Sequence, residues 1–255
     1  MPSHRRTSLG LSGNRGQPPV NLLTLPDAGV SYAVGVAGRA TSSGGEIIMR
    51  NRTVRVYCAG PLFNPKEREE MSEIAQALEE AGFDTFLPQR DGLELTVCVE
   101  ALARKGIDRH IAARMISRAI FALDVYQVLE ACDAIVVNLN GRVPDEGAVS
   151  EAALAWCEGK AVVGYKADGH AAFHAGDNPL VAGLFDFNLC GSVGEVVPAI
   201  NHSLTAHKTQ QQRKSDRRQQ IASCLTLGEQ IWRALQRPDR VDSVARVLAE
   251  APCPA

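Results

Sequence analysis

Residues Ala134-Ile135-Val136-Val137-Asn138-Leu139-Asn140-Gly141-Arg142-Val143-Pro144-Asp145-Glu146-Gly147-Ala148-Val149-Ser150-Glu151 read as a strand, a polar loop and the start of a helix. The run from Ala134 to Leu139 is apolar except for Asn138, as expected of a strand buried on both faces. The loop carries Pro144 and Gly147, residues that suit a tight turn close to a small ligand. From Gly147 to Glu158 the spacing and composition predict a helix, rich in alanine around Glu151.

The same alternation continues on both sides. Val54 to Cys58 is a short β-branched run ending at Ala59-Gly60-Pro61. Asn64 followed by Pro65 and Glu67 has the pattern of an N-cap, a first-turn proline and a capping box. Met71, Ile74, Leu78 and Ala81 then recur at helical spacing, and Gly82 ends the helix. Thr85 to Leu87 is a second strand candidate, stopped by Pro88. Asp108 to Leu123 reads as helix, and Asp124-Val125-Tyr126-Gln127 as the capped start of another short one. Ala161 to Tyr165 and the weaker Phe187 to Cys190 supply the last strands, and Ser192 with Glu195 begins a final helix. Strands alternating with helices imply parallel pairing and right-handed crossovers. The expected fold is a flavodoxin-like, doubly wound α/β sheet of about five strands over residues 51–202.

The flanks differ. Residues 1–50 are rich in Gly, Ser, Arg and Pro without sustained periodicity. They are expected to be a disordered extension that the fold does not need before Met49. Residues 203–255 read as a basic, solvated linker (His207 to Arg218) followed by one or two amphipathic helices carrying Ile221, Leu225, Ile231, Leu235 and Val244. Those helices could cover the core or contact another subunit.

Across the 255 residues, 27 Lys and Arg face 29 Asp and Glu, so the strong basic field of a nucleic-acid binder is absent and no nucleic-acid partner is expected. No apolar run approaches the roughly 20 residues that span a bilayer. His4, Arg5 and Arg6 lack the apolar stretch of a secretory signal behind them, so a cytoplasmic location is the default expectation. The seven cysteines form no C-x-x-C pair and have no zinc-ligand spacing with the six histidines. They read as buried, reduced thiols, and no metal is expected.

In a doubly wound sheet, ligands bind beyond the carboxyl ends of the strands. Three polar loops follow strands here: Ala59 to Phe63, Leu87 to Gly92 with Gln89 and Asp91, and Asn140 to Gly147 leading to Glu151. A carboxylate near a helix start is favoured in its ionised form by the helix dipole, as a nucleophile requires. Asp145 and Glu151 also fit plain helix capping, Asp124 with Gln127 fits a capping box, and Tyr57 fits a half-buried strand position. Asp133 reads as structural, at a helix-to-strand turn.

Taken in order, these segments resemble the nucleoside 2-deoxyribosyltransferases over residues 53–200. Tyr57 to Pro61 match that family's Tyr-x-Ala-Gly-Pro, and Asp124 its acid before the third strand. Pro144, Asp145, Gly147 and Glu151 match Pro-Asp-x-Gly with a Glu four residues on. Asn178-Pro179-Leu180 matches Asn-x-Met with Leu in place of Met. Asn140 stands where the family often has Asp, and the segment from Leu93 to Ala119 is longer than in compact members.

The resemblance implies a flavodoxin-like fold and a pentosyl transfer needing neither metal nor organic cofactor. In that reading Glu151 attacks the anomeric carbon and forms a glycosyl ester, as in retaining glycosidases. Asp124 assists protonation of the leaving base, Asp145 holds a sugar hydroxyl and Tyr57 orients Glu151. Gly60, Pro61 and Gly147 bring backbone to the substrate, and Gln89 and Asp91 line the base pocket. Asn178 completes the site of an adjacent protomer, which implies a homo-oligomer. Two rivals remain: a nucleoside or nucleoside 5′-monophosphate N-glycoside hydrolase, for which Ser150 speaks, and a non-catalytic nucleotide-binding or sensing module. An anionic Asp145 beside a 5′-phosphate would repel it, which favours nucleosides.

Overall fold

The apolar run of β3 (Ala134–Asn138) lies at the middle of a five-stranded parallel sheet of order β2-β1-β3-β4-β5. The structure, a computed structural model, describes residues 53–169, 178–206 and 209–250. The expectation of disorder in residues 1–50 lies outside them. The other strands are β1 (Arg55–Ala59), β2 (Asp84–Phe86), β4 (Ala161–Tyr165) and β5 (Leu189–Cys190). Every pairing is parallel, with Tyr57 opposite Phe86 on one side and Ile135 on the other. The flavodoxin-like sheet is thus present, and its switch point lies between β1 and β3, where the strand order reverses.

The period of two along β1 and β3 divides the core. Val56, Cys58 and Val136 face α1 (Pro65–Glu80) and α7 (Val193–Thr205), packing with Met71, Ile74, Leu78, Val196 and Ile200. Tyr57, Ala59, Ile135 and Val137 face α5 (Glu146–Cys157), packing with Ala148, Ala152 and Ala155. The start of α1 follows the capping box read from the sequence. Asn64 Oδ1 accepts from the Glu67 amide at 3.0 Å, and Glu67 Oε2 accepts from the Asn64 amide at 3.2 Å. Asp133 is structural as expected, its Oδ2 accepting from the Arg55 amide at 2.9 Å.

Three local expectations need correction. Asp124 does not cap a short helix. It lies near the end of α4 (Arg109–Tyr126), which is capped by Asp108 and runs without a break into a π-helical turn, Gln127–Ala131. No Gly or Pro interrupts residues 109–131, so nothing ends the helix before Asp124. The long segment before α4 contains two more helices, α2 (Pro88–Asp91) and α3 (Leu95–Ala103).

The basic run is helix rather than linker. After α6 (Pro179–Ala182) and α7, α8 (Gln210–Leu235) includes Arg213, Lys214, Arg217 and Arg218, and α9 (Arg240–Glu250) packs beside it. Arg217 stacks on Trp156 with Cζ 4.5 Å from the ring centroid, and Lys214 pairs with Glu158 at 2.6 Å. These partners come from a distant part of the chain, which a local reading of charge does not anticipate. The expectation of buried thiols also needs correction: among the described cysteines Cys58, Cys132 and Cys190 are buried, but Cys98 is half-buried, and Cys157 and Cys224 are exposed on helices.

Gly60 closes β1 at a point of tight packing. A Cβ there would lie 2.4 Å from Met71 Sδ and 2.9 Å from Asn138 Cβ. Gly60→Ala should therefore destabilise the fold by about 1–3 kcal/mol, as overpacking does. A urea unfolding midpoint equal to that of the unsubstituted chain would disprove the close approach.

Candidate active site

Tyr57 is fully buried at the centre of β1, and its ring stacks on Phe86 at 5.3 Å between centroids. Its hydroxyl emerges toward α5 and donates to Glu151 Oε1 at 2.7 Å. The small sheet-facing side chains of α5, Ala148, Ala152 and Ala155, let the helix lie close to β1 and β3. Asp124, half-buried on α4, also interacts with the Tyr57 hydroxyl. Asp145 caps α5 by accepting from the Ala148 amide at 2.8 Å, and its charge also acts on Glu151. Elements distant in sequence thus converge on one phenol at the carboxyl edge of the sheet.

Electrostatics in this cluster follow from burial. Desolvation pushes Glu151 from its ordinary 4.5 up to about 7. The Tyr57 hydrogen bond opposes that rise, and the charges of Asp124 and Asp145 add to it. Burial also raises Asp124, with the Tyr57 bond opposing. Burial between two carboxylates drives the Tyr57 phenol well above its usual range, so it stays a donor at every physiological pH. This corrects the expectation of a helix-dipole-stabilised anion. Glu151 is the sixth residue of α5, beyond the first turn where the dipole acts, so burial prevails.

The remaining expected residues fall in several places. Gly60 and Pro61 follow β1 directly, and Gly147 leaves space beside Asp145, where a Cβ would meet Oδ1 at 3.1 Å. Gln89 is tied to α1, donating to the Arg68 carbonyl at 2.8 Å and Ser72 Oγ at 2.9 Å. Asp91 accepts from the Leu87 amide at 2.8 Å and pairs with Arg90 at 2.9 Å. These bonds tie Gln89 to α1 and Asp91 to the first turn of α2. Asn178 caps α6 by accepting from the Leu180 amide at 2.9 Å, on an exposed segment. Ser150 Oγ donates to the Glu146 carbonyl at 2.8 Å within α5. Among the described residues no three His, Cys, Asp or Glu side chains converge as a metal centre would require.

A polar network that the sequence reading did not anticipate links Glu70 to Asn138 and Asn140. Asn138, fully buried, donates to Glu70 Oε2 at 3.3 Å and accepts from the Asn140 amide at 2.9 Å. Asn140 donates to the same Glu70 oxygen at 3.2 Å, and its Oδ1 accepts from the Ala167 amide at 2.8 Å. Lys166 Nζ donates to the Leu139 carbonyl at 2.9 Å. The signal was the lone polar residue in the β3 run. These bonds anchor the loop that delivers Asp145, including Gly141 at φ +107°.

The family model for nucleoside 2-deoxyribosyltransferase matches residues 56–222, spanning β1 to the first half of α8. The chain belongs to the nucleoside 2-deoxyribosyltransferase family. Tyr57, Asp124, Asp145 and Glu151 all lie within the matched region of this family. Among solved structures, a conserved protein from Enterococcus faecalis V583 is similar at 24% identity and a TM-score of 0.43, covering 59% of this chain and 99% of its own. A 2-desoxiribosyltransferase from Leishmania mexicana is similar at 15% identity and a TM-score of 0.36, covering 61% of this chain and 99% of its own. No curated protein matches the chain. No helix among the described residues is long and apolar enough to cross a membrane.

The raised Glu151 links stability to pH. Its proton is held more tightly in the folded chain, so its contribution is fully present below pH 4.5 and is lost as pH rises through about 7. Glu151→Gln removes that titration while keeping an acceptor for Tyr57. The variant should match the unsubstituted chain in melting temperature near pH 4 and exceed it at pH 8, on the order of 3 kcal/mol at most. Parallel melting curves with a constant gap across that range would show that Glu151 titrates normally.

Proposed function

We propose that the chain transfers a 2-deoxyribosyl group between nucleobases through a covalent ester on Glu151. The observation that carries this reading is the part-buried Tyr57–Glu151 hydrogen bond, with Asp124 also interacting with that hydroxyl. In the first displacement a Glu151 carboxylate oxygen attacks C1′ of the sugar. The C1′–N bond breaks, its electron pair goes to the base nitrogen, and protonated Asp124 supplies the proton that neutralises the departing base. In the second, a nitrogen of an incoming base attacks C1′, the ester C–O bond breaks with its electrons returning to Glu151, and the base's N–H proton returns to Asp124. Two inversions retain configuration. Asp145 holds a sugar hydroxyl through the carboxylate oxygen not committed to the Ala148 amide.

Burial raises both carboxyl groups, and the Asp124 charge adds to the rise of Glu151, so the free site favours a bound proton. Tyr57 joins them. When protonated Glu151 donates to the Tyr57 oxygen while that hydroxyl donates to Asp124, Glu151 becomes the nucleophile and Asp124 the acid. No proton need be exchanged with water. Asn178, exposed beside an 83% exposed Leu180, is assigned to the site of an adjacent protomer in a homo-oligomer.

Incubation with a 2′-fluoro-deoxyarabinosyl nucleoside should add one sugar to the intact mass, and Glu151→Ala should abolish the adduct. Deoxyinosine with free adenine should yield deoxyadenosine. Free sugar with no new nucleoside would identify a hydrolase instead, and binding without turnover a sensor.

The rate should also report the site's proton. Because the reaction uses the proton that Glu151 holds in the free site, kcat/KM should fall along a limb as pH rises through about 7. Tyr57→Phe removes the bond that lowers Glu151, so the limb should move to higher pH and kcat should fall by about tenfold to a hundredfold. An unshifted limb in a folded variant would remove Tyr57 from the mechanism.

A further inference from the structure

Helix α5 has an unusual problem of placement. Its sheet-facing residues are alanines, which allow close approach but offer no large knobs to stop the helix sliding or rolling. Yet Glu151 must hold a 2.7 Å hydrogen bond to a phenol fixed in β1. At its N-terminus Asp145 anchors the helix. The C-terminal end is gripped by α8.

Trp156 lies five residues past Glu151, about 7.5 Å along the axis. The Arg217 guanidinium covers its ring at 4.5 Å, and Lys214 pairs with Glu158 at 2.6 Å. At Gly159, φ +68°, the α8 backbone comes so close that a Cβ would lie 2.9 Å from the Arg213 carbonyl oxygen. Arg217 is itself partly desolvated, where stacking of a cation on an indole is strongest.

The same turn of α8 reaches a second element. Arg217 Nη1 donates to Gln220 Oε1 at 2.5 Å, and Gln220 Nε2 donates to Asp186 Oδ1 at 2.7 Å. Asp186 and Phe187 occupy consecutive left-handed conformations, φ 50° and 59°, at the end of the segment that begins with Asn178. Strained corners of this kind persist when neighbours fix them. One continuous chain therefore runs Trp156–Arg217–Gln220–Asp186.

We propose that α8 is a brace that sets the Glu151 helix and the 178–187 segment against each other, with Arg217 and Gln220 as positioning residues. The inference rests on the proposed displacement at Glu151 and assigns a task to a helix that continues beyond the family match.

The test compares Arg217→Ala, Arg217→Lys and Gln220→Ala with the unsubstituted chain, each corrected for folded fraction by circular dichroism. Misplacement of a reacting group by less than 1 Å suffices for a loss of about tenfold in kcat. Arg217→Ala should show that loss, with KM within about twofold. The limb near pH 7 should move to lower pH as water reaches Glu151 beside Tyr57, Asp124 and Asp145. Arg217→Lys should recover part of both effects, and Gln220→Ala should show a smaller loss of kcat. Changes confined to melting temperature or to KM would overturn the brace. If Arg217→Ala does not fold, Gln220→Ala decides by the same criteria. If the unsubstituted chain turns over no nucleoside, the functional reading fails separately. The brace is then judged by amide exchange of residues 152–157, which should accelerate about tenfold in Gln220→Ala and, if equal, rejects it.

Discussion

A phenol has one proton to donate, and here two part-buried carboxyl groups compete for it. Tyr57 gives it to Glu151 at 2.7 Å while Asp124 shares the oxygen. Much of the surrounding structure serves to hold that contact in a poorly solvated place. The sheet centre fixes the ring, Phe86 stacks on it from β2, and alanines on α5 bring the Glu151 backbone near enough to reach. The cost is visible as the raised Glu151, a carboxyl group that folding would rather keep neutral. A site that spends stability in this way contrasts with ordinary helix capping, where a carboxylate gains from its partners and its proton affinity falls.

The fold was largely legible because each strand and helix carried its own signal. β3 is an uninterrupted apolar run, α1 has a capping box with proline after the cap, and the turns are marked by Gly60-Pro61 and Gly82. The weak spots are equally physical. Asp124 has the local chemistry of a cap, but a cap forms only where the helix has a reason to start, and residues 109–131 contain nothing to stop the preceding one. The basic run at 213–218 looks solvated because its partners Trp156 and Glu158 lie more than fifty residues away in sequence. Charge along the chain does not reveal which charges the fold will use.

For the site, residue identity was easier to read than electrostatic state. Tyr57, Asp145 and Glu151 were singled out by their place at or after strand ends and by resemblance, Asp124 by resemblance alone, and the structure gathers them. Gln89 and Asp91 were singled out by the same loop logic, but their side chains complete the packing of α1, α2 and β2. Proximity to a strand's carboxyl end is therefore necessary but does not say which way a side chain turns. Nor could sequence show how far Glu151 is removed from water, and it is that desolvation which sets the direction of its shift.

That direction bears on how the proposed chemistry would begin. A nucleophile held ionised by a helix end would need a separate source for the proton that the leaving base requires. A nucleophile that starts protonated carries that proton already. In the free site Glu151 is the group most strongly favoured to hold it, and Asp124 is also raised. A base bound against Asp124 offers an acceptor that makes the neutral form of that acid more favourable, while positive charge developing at C1′ makes the ionised form of Glu151 more favourable. Both substrate effects push the shared proton the same way through Tyr57, from nucleophile to acid. Activation of Glu151 and of Asp124 then becomes a single event coupled to binding, and the burial that disfavours an unliganded Glu151 anion keeps the nucleophile inactive until a sugar is in place.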